Sequence, residues 1–404
     1  MTTVLTVFSI LIIFGLPVPI VWLTRKSKIL GAIGAIACCY IVGFAFSTIG
    51  LSGTSYDKGL TTTVAYVLVA LSIPLILFSI DLKAVKKLTK GTVIGYALCI
   101  VAVIVVSVAM FFITMSFVPD SVNLSSMIIG LYTGGTPNLN AIGIGMGAGE
   151  NVISAANVSD TVVGGIYFLL LISVAPKFYR LILNRKKKPL ETPVATRIDS
   201  VTEAKEQPVS QIAEKQDDFK FDISIKDRKS ILKLLGAFGL AVGCLGIGVL
   251  LEVIIEGTVG ENLLYILLAV SVLGVAFSFI KPIRQIKGQY TLGMYLILMF
   301  SLALSMSIDW SIFLTDILPT LAFFACAQVA VILLHILLCF IFRVDGDTAI
   351  ITSTAGVYGP PFIAPVAKAA NRADLIAPGV ICGAVGLAIG TLLGLGIGQL
   401  LLLV

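Results

Sequence analysis

The chain has 404 residues, of which 58% are hydrophobic and only 12% charged, with a mean hydropathy of +1.05. Soluble domains carry about 25% charged residues, so the composition excludes a soluble protein and points to an all-α polytopic membrane protein. The net charge of +6 reflects topology: lysines and arginines cluster at the ends of apolar spans, as the positive-inside rule expects, and no basic folded face suited to nucleic acid is visible.

Apolar segments fall at about 4–24, 29–50, 60–80, 91–118, 121–150, 158–184, 231–253, 261–280, 289–307, 317–342, 347–371 and 376–403. Most approach or exceed the roughly 18 residues needed to cross a bilayer core of roughly 30 Å. No basic residue precedes the first segment and "RKSK" (Arg25 to Lys28) follows it, which predicts a retained span with an external N-terminus, not a cleaved signal peptide. Lys83, Lys86 and Lys87 then put the end of the third span inside, and the fourth returns outside near Asp120. A full crossing at 121–150 would leave 158–184 ending outside, yet that segment ends in Arg180, Arg185, Lys186, Lys187 and Lys188. A hairpin at 121–150 that enters from outside and turns back removes the conflict. Its centre is the Gly-, Pro- and Asn-rich run "LYTGGTPNLNAIGIG" (Leu131 to Gly145).

Residues 185–230 hold eleven of the 28 Lys+Arg and nine of the 22 Asp+Glu. They read as a cytoplasmic linker, disordered over much of its length, with "DFKFDISIK" alternating like a short strand or a surface-docked segment. Beyond it, Lys281, Arg284 and Lys287 follow the second span and Arg343 the fourth. The segment 347–371 contains "TSTAGVYGPPFIAP", and Lys368 and Arg372 come after it, so it too returns to the side it left, here the inside. The last span leads to an external C-terminus.

The count is about ten transmembrane helices in two five-span repeats, 1–184 and 231–404, joined by the linker; each carries a broken or re-entrant hairpin, at about 121–150 and 347–371. Five is odd, so the repeats have inverted orientation. "LILFSIDL" (Leu75 to Leu82) and "LALSMSIDW" (Leu302 to Trp310) share Ser-Ile-Asp at matching places, and put Asp81 and Asp309 at opposite faces as helix caps or interfacial charges. Gly379, Gly383, Gly386, Gly390, Gly394 and Gly398 form one bare helical face, and Gly236, Gly239, Gly243 and Gly246 form another; both predict close helix packing. The seven cysteines, without a CxxC pair, read as small buried hydrophobes.

The chemistry concentrates at the two breaks. Thr136 before Pro137 is an expected N-cap, and Gly359 precedes Pro360 and Pro361 in the same sense. Each break restarts a helix near the bilayer middle, and its N–H groups suit an anion. Carbonyls of the preceding arm suit a cation such as sodium. Thr133, Gly134, Gly135, Thr136, Asn138, Asn140, Ser353, Thr354, Tyr358 and Gly359 are the candidate binding residues. Asp160, in "NVSDTVVGGIYFLLL", is an acid in an apolar span; it reads either as a functional carboxylate, completing a sodium site with Asn157 and Thr161 or carrying a proton, or as an exposed cap. Glu150 and Asp374 read as loop charges and His335 as a packed residue. No cofactor is expected beyond a coupling sodium ion.

"GLYTGGTPNLNAIG", "NVSDTVVGGIYFLLL" and "TAGVYGPPFIAPVAKAA" resemble the YjcL-like family of uncharacterised bacterial membrane proteins over nearly all the chain outside the linker. The layout is more remotely similar to sodium–glutamate and 2-hydroxycarboxylate symporters. That resemblance implies a homodimer in the bacterial plasma membrane, with a transport domain that moves elevator-like across a fixed dimer interface. It also implies sodium-coupled movement of a small organic anion. Its Gly-rich tips are matched here only by Gly134-Gly135 and Gly356 to Gly359, so ligand positions and substrate do not carry over.

The function expected is therefore a secondary active transporter, sodium- or proton-coupled, for a small organic anion or amino acid, with membrane lipids and a small molecule as partners. The sequence has no P-loop, HExxH motif or facing aspartate pair, so ATP-driven and intramembrane-enzyme classes are set aside. An ion channel using "TAGVYG" (Thr354 to Gly359) as a filter-like segment, or a non-transporting membrane sensor, are the alternatives.

Overall fold

The computed structural model describes residues 2–27, 30–31, 34–49, 58–183, 228–257, 263–308 and 310–404. Their backbone is helical, with no strand among the described residues, as expected where lipid offers no hydrogen-bond partners and each apolar segment must satisfy its own backbone. The helices are α1 (Thr2–Gly15), α2 (Pro17–Lys26), α3 (Ala35–Ile49), α4 (Lys58–Phe78), α5 (Lys90–Thr114), α6 (Ser121–Gly134), α7 (Thr136–Gly145), α8 (Glu150–Ser173) and α9 (Ala175–Leu183). After the linker come α10 (Arg228–Glu256), α11 (Leu263–Ser278), α12 (Gln289–Met306), α13 (Trp310–Ile341), α14 (Gly346–Tyr358), α15 (Ile363–Ala369) and α16 (Ile376–Leu401). Eight helical stretches among the described residues are long and apolar enough to cross a membrane, and Ala35–Thr48 and Leu263–Ser278 are shorter apolar helices.

Ends and breaks follow local chemistry. Thr89 caps α5 by accepting from Thr92 N at 3.2 Å, and Asp345 caps α14 by accepting from Thr348 N at 3.0 Å. Asp81 accepts from Lys83 N at the start of a 3₁₀ turn and pairs with Arg284 at 3.0 Å, joining the ends of α4 and α11. This fits its expected role as a cap or interfacial charge; Asp309 lies outside the described residues, as does the linker up to residue 227 with its alternating "DFKFDISIK".

The centre of the molecule is built from α4 and α12 packed against each other, with α3 on α12 and α11 on α4. Gly293 permits this approach: a methyl group there would lie 2.7 Å from Ile76 Cγ1 and 3.0 Å from the Ser72 carbonyl. Beside this pair, α5 packs on α13, α8 on α13, α6 on both α14 and α16, and α14 on α9.

The two glycine faces behave differently. Every glycine of the α16 stripe meets a hairpin. Gly379 faces Ile351 and Ile363, Gly383 faces Pro360, Gly386 faces the Thr133 carbonyl, Gly390 faces Asn138, and Gly394 and Gly398 face Ser126. The α10 stripe does not repeat this. Gly236, Gly239, Gly243 and Gly246 have open space around them, which corrects the expectation of close packing within the chain. The cause is helical phase: α10 packs through Ala237, Ala241, Cys244, Gly248 and Glu252, so the glycines fall on the outward side. All seven cysteines are free, and Cys326 alone among them is exposed rather than buried.

Candidate functional site

Each expected break is an antiparallel turn in the middle of a polar hairpin. In the first, α6 stops at Gly134 and α7 starts at Thr136; Ile142 folds back onto Gly130, and Gly143 onto Met127. Gly135 has φ 99° and ψ −176°, and its N–H donates to Leu131 O at 2.7 Å. In the second, Gly359 has φ 70° and ψ −165°, and its N–H donates to Ala355 O at 3.1 Å. A side chain is strained at such positive φ, and Pro137 and Pro360 restart the chain without needing an N–H. The second arm restarts as a single 3₁₀ turn, Pro360–Phe362, before the short α15.

The tips meet. A methyl group on Gly135 would lie 3.6 Å from the Tyr358 carbonyl, and one on Gly356 would lie 2.8 Å from the Tyr132 carbonyl. They meet on α16 between Gly383 and Gly390, near the centre of that 26-residue helix. At the base of the second hairpin, Asp347 at the start of α14 pairs with Arg180 of α9 at 2.6 Å and with Arg372 beyond α15 at 2.9 Å. Arg372 also pairs with Asp374 at 2.8 Å, and these two carboxylates, Asp374 first, hold its guanidinium pKa above the ordinary value. This segment therefore leaves and returns to one end of the bundle.

The candidate residues separate into three groups. Thr133, Thr354 and Thr161 turn their hydroxyls back onto helix carbonyls, those of Ile129, Ile350 and Asn157, at 2.7, 2.7 and 2.9 Å. Thr354 to Tyr358 is α-helix, so the filter-like segment does not present a row of free carbonyls. A second group locks the first tip to its neighbours. Asn138 Nδ2 donates to Gly386 O at 3.2 Å, Thr391 Oγ1 donates to Asn138 Oδ1 at 2.9 Å, and Tyr96 OH donates to Thr133 O at 2.7 Å. Asn157 Nδ2 donates to Asn140 Oδ1 at 2.7 Å, leaving Asn140 Nδ2 and Asn157 Oδ1 buried without a partner among the described residues. Ser353 Oγ lies 3.0 Å from Tyr167 OH.

The third group is half-exposed: Thr136, Asp160 and Tyr358. Thr136 does not cap α7 with its side chain, as the sequence suggested; Gly135 occupies the cap and Thr136 Oγ1 faces Asp160 Oδ2 at 3.4 Å. Asp160 is not a cap either: it sits in the third turn of α8, with no ion pair among the described residues. Tyr358 OH donates to Gly164 O at 2.6 Å. Glu150 opens the first turn of α8, and His335 is buried, its Nε2 3.1 Å from Gly95 O.

Residue-type reasoning missed Phe168, Phe362, Tyr167 and Gly164. The Tyr358 and Phe362 rings lie 4.9 Å apart, Phe362 and Phe168 4.9 Å, and Tyr167 stacks on Tyr358 at 6.0 Å. The signal was available: Asp160, Gly164 and Phe168 recur every four residues and so share one face of α8.

A family model for proteins of unknown function, DUF819, matches residues 11–404. The uncharacterized membrane protein YjcL of Bacillus subtilis is 25% identical over 377 residues, 92% of this chain and 90% of that protein. The chain is therefore a multi-helix membrane protein that belongs to the DUF819 family.

Proposed function

We propose that the protein is a secondary active transporter for a small organic solute, either an organic anion or an amino acid. The observation that carries this reading is the meeting of two helix breaks, from chain segments more than 200 residues apart, at mid-length of α16 beside a carboxylate that has no ion pair among the described residues. Broken helices meeting at the bilayer midplane are how secondary transporters expose backbone groups to cargo, and an intramembrane acid marks an ion or substrate path.

We count ten spans, adding the two shorter apolar helices to the eight long ones, in inverted repeats with each hairpin entering from its own side. The packing supports the repeat. Exchanging the halves turns the pairing of α3 with α12 into that of α11 with α4, and the pairing of α6 with α16 into that of α14 with α9, the continuation of α8. Gly135 and Gly359 adopt matching turns. The termini lie outside and the linker in the cytoplasm of a bacterial cell. The driving ion is sodium or a proton, bound at Asp160 or one turn away at the unpaired Asn157 Oδ1; Thr161 lies on the same face of α8. The hairpins and α16 move as one elevator-like body against α3, α4, α11 and α12 in a homodimer.

Purified protein in liposomes, with sodium and proton gradients imposed separately against a panel of organic acids and amino acids, tests the reading. Saturable uptake that collapses with one gradient is expected. No uptake under either gradient would overturn it.

A further inference from the structure

The two hairpins share a backbone turn but not a setting. Where the first tip meets α16, Thr133, Asn138 and Thr391 are buried and hydrogen-bonded to the protein. Where the second tip meets α8, Thr136, Asp160, Phe168, Tyr358 and Phe362 all keep partial exposure. The second junction is thus the open one of the pair.

Its chemistry is that of a cation site. Asp160 has one weak hydroxyl partner, Thr136 at 3.4 Å, and no guanidinium or ammonium of the protein pairs with it among the described residues. A carboxylate at this depth calls for a counter-charge. Ring faces add negative potential; Tyr358 lies beside the carboxylate, and Phe168 and Phe362 pack against Tyr358. The point a methyl group on Gly164 would occupy lies 3.3 Å from Asp160 Oδ1 and 3.5 Å from Tyr358 Cε1, so carboxylate and ring border the same small space. A hard inorganic cation wants a shell of oxygens. Here aromatic carbon, not oxygen, faces the carboxylate across that space: Tyr358 Cε1 lies 3.5 Å from the methyl point and its hydroxyl oxygen 4.0 Å. A carboxylate on one side and aromatic carbon on the other suit an ammonium group carried on an organic body.

We propose that the solute bound at this junction bears an ammonium group, which donates to the Asp160 carboxylate while its carbon body lies against Tyr358, Phe168 and Phe362. This rests on the transporter reading, gives Asp160 to the cargo and leaves Asn157 Oδ1 as the ion position of that reading; it narrows the cargo class to amines and amino acids, against organic anions without an amine.

The test measures thermal unfolding of the purified full-length protein with matched probes: leucine, isoamylamine and isocaproate, and phenylalanine, phenethylamine and phenylpropionate. At least one amine-bearing probe is expected to raise the unfolding temperature while its deaminated acid does not. Asp160→Asn should weaken that binding about 100-fold, and Gly164→Ala, which fills the shared space, about tenfold. Both variants should unfold near the parent temperature without ligand; if Asp160→Asn does not fold, Gly164→Ala carries the test alone. Acids that stabilise as well as amines, an amine response that survives a folded Asp160→Asn or an unchanged response in Gly164→Ala, or no response to any amine at millimolar concentration would each overturn the proposal. So would sodium abolishing the amine response relative to potassium while itself stabilising the protein, since sodium would then own the carboxylate. Asp160-dependent amine binding without gradient-driven uptake would sink the transporter reading and leave this one standing. Uptake of acids alone would do the reverse.

Discussion

Tyr96 gives its hydroxyl hydrogen to the Thr133 carbonyl at 2.7 Å, one of the last carbonyls of α6 before the chain breaks. Removing the hydroxyl leaves a buried acceptor without its donor, which costs about 1–3 kcal/mol. Tyr96→Phe is therefore expected to lower stability by that amount, measured by thermal unfolding in detergent, while Ser107→Ala, whose buried hydroxyl has no hydrogen-bond partner among the described residues, should cost less. At this scale the sequence was informative about residue type and poor about direction. Threonines and asparagines at the breaks stand out in the sequence as polar groups in an apolar run. Which of them turn inward to bond the protein depends on neighbours some 250 residues away, such as Gly386 and Thr391 for Asn138. The aromatic lining was lost because a Phe in an apolar span looks like any other hydrophobe until a carboxylate is found on its face.

The two glycine stripes isolate what an element needs from its surface. On α16, a methyl group at Gly386 would collide with the Thr133 carbonyl and the Tyr96 hydroxyl; on α10, one at Gly243 would touch nothing within 4 Å. Gly386→Ala should therefore destabilise by about 1–3 kcal/mol or more, as overpacking does. Gly243→Ala should be neutral or slightly stabilising, because alanine is the better helix former. Parallel thermal melts of the two variants check this, and equal effects would mean that the α16 contacts are not tight. From sequence the stripes were indistinguishable, since spacing reveals a bare face but not what covers it. The breaks were legible for a firmer reason: a glycine that can take positive φ stands just before a proline that lacks an N–H, whereas Pro74 and Pro319, without a neighbouring glycine, stay inside α4 and α13.

For the molecule as a whole, the sequence was most legible where charge interrupts apolar runs, because lysines and arginines mark span ends independently of packing. What it could not convey is which spans are central. The spans at α4 and α10 are both strongly apolar, yet 67% of the first is buried inside the protein and 22% of the second. Lipid and protein interior make the same demand on hydropathy. The topology makes its own prediction. In a Cys326→Ala background, Gly149→Cys at the first hairpin base should react with an impermeant maleimide on intact cells, whereas Lys281→Cys and Lys368→Cys should react only after lysis. Reaction of Gly149→Cys and Lys368→Cys from the same side would exclude inverted hairpins. The seating of the first hairpin on α16 has a further consequence, for biogenesis. Asn138 finds Gly386 and Thr391 248 and 253 positions later in the chain. At about 5–20 residues per second, translation needs on the order of 10–50 s to supply them. Through that interval the nascent hairpin holds a polar turn with no seat, so the insertion machinery must shelter it or leave it outside the hydrocarbon until α16 arrives. A ribosome stalled before α16 should therefore leave residues 121–145 open to protease, and release of the stall should close them.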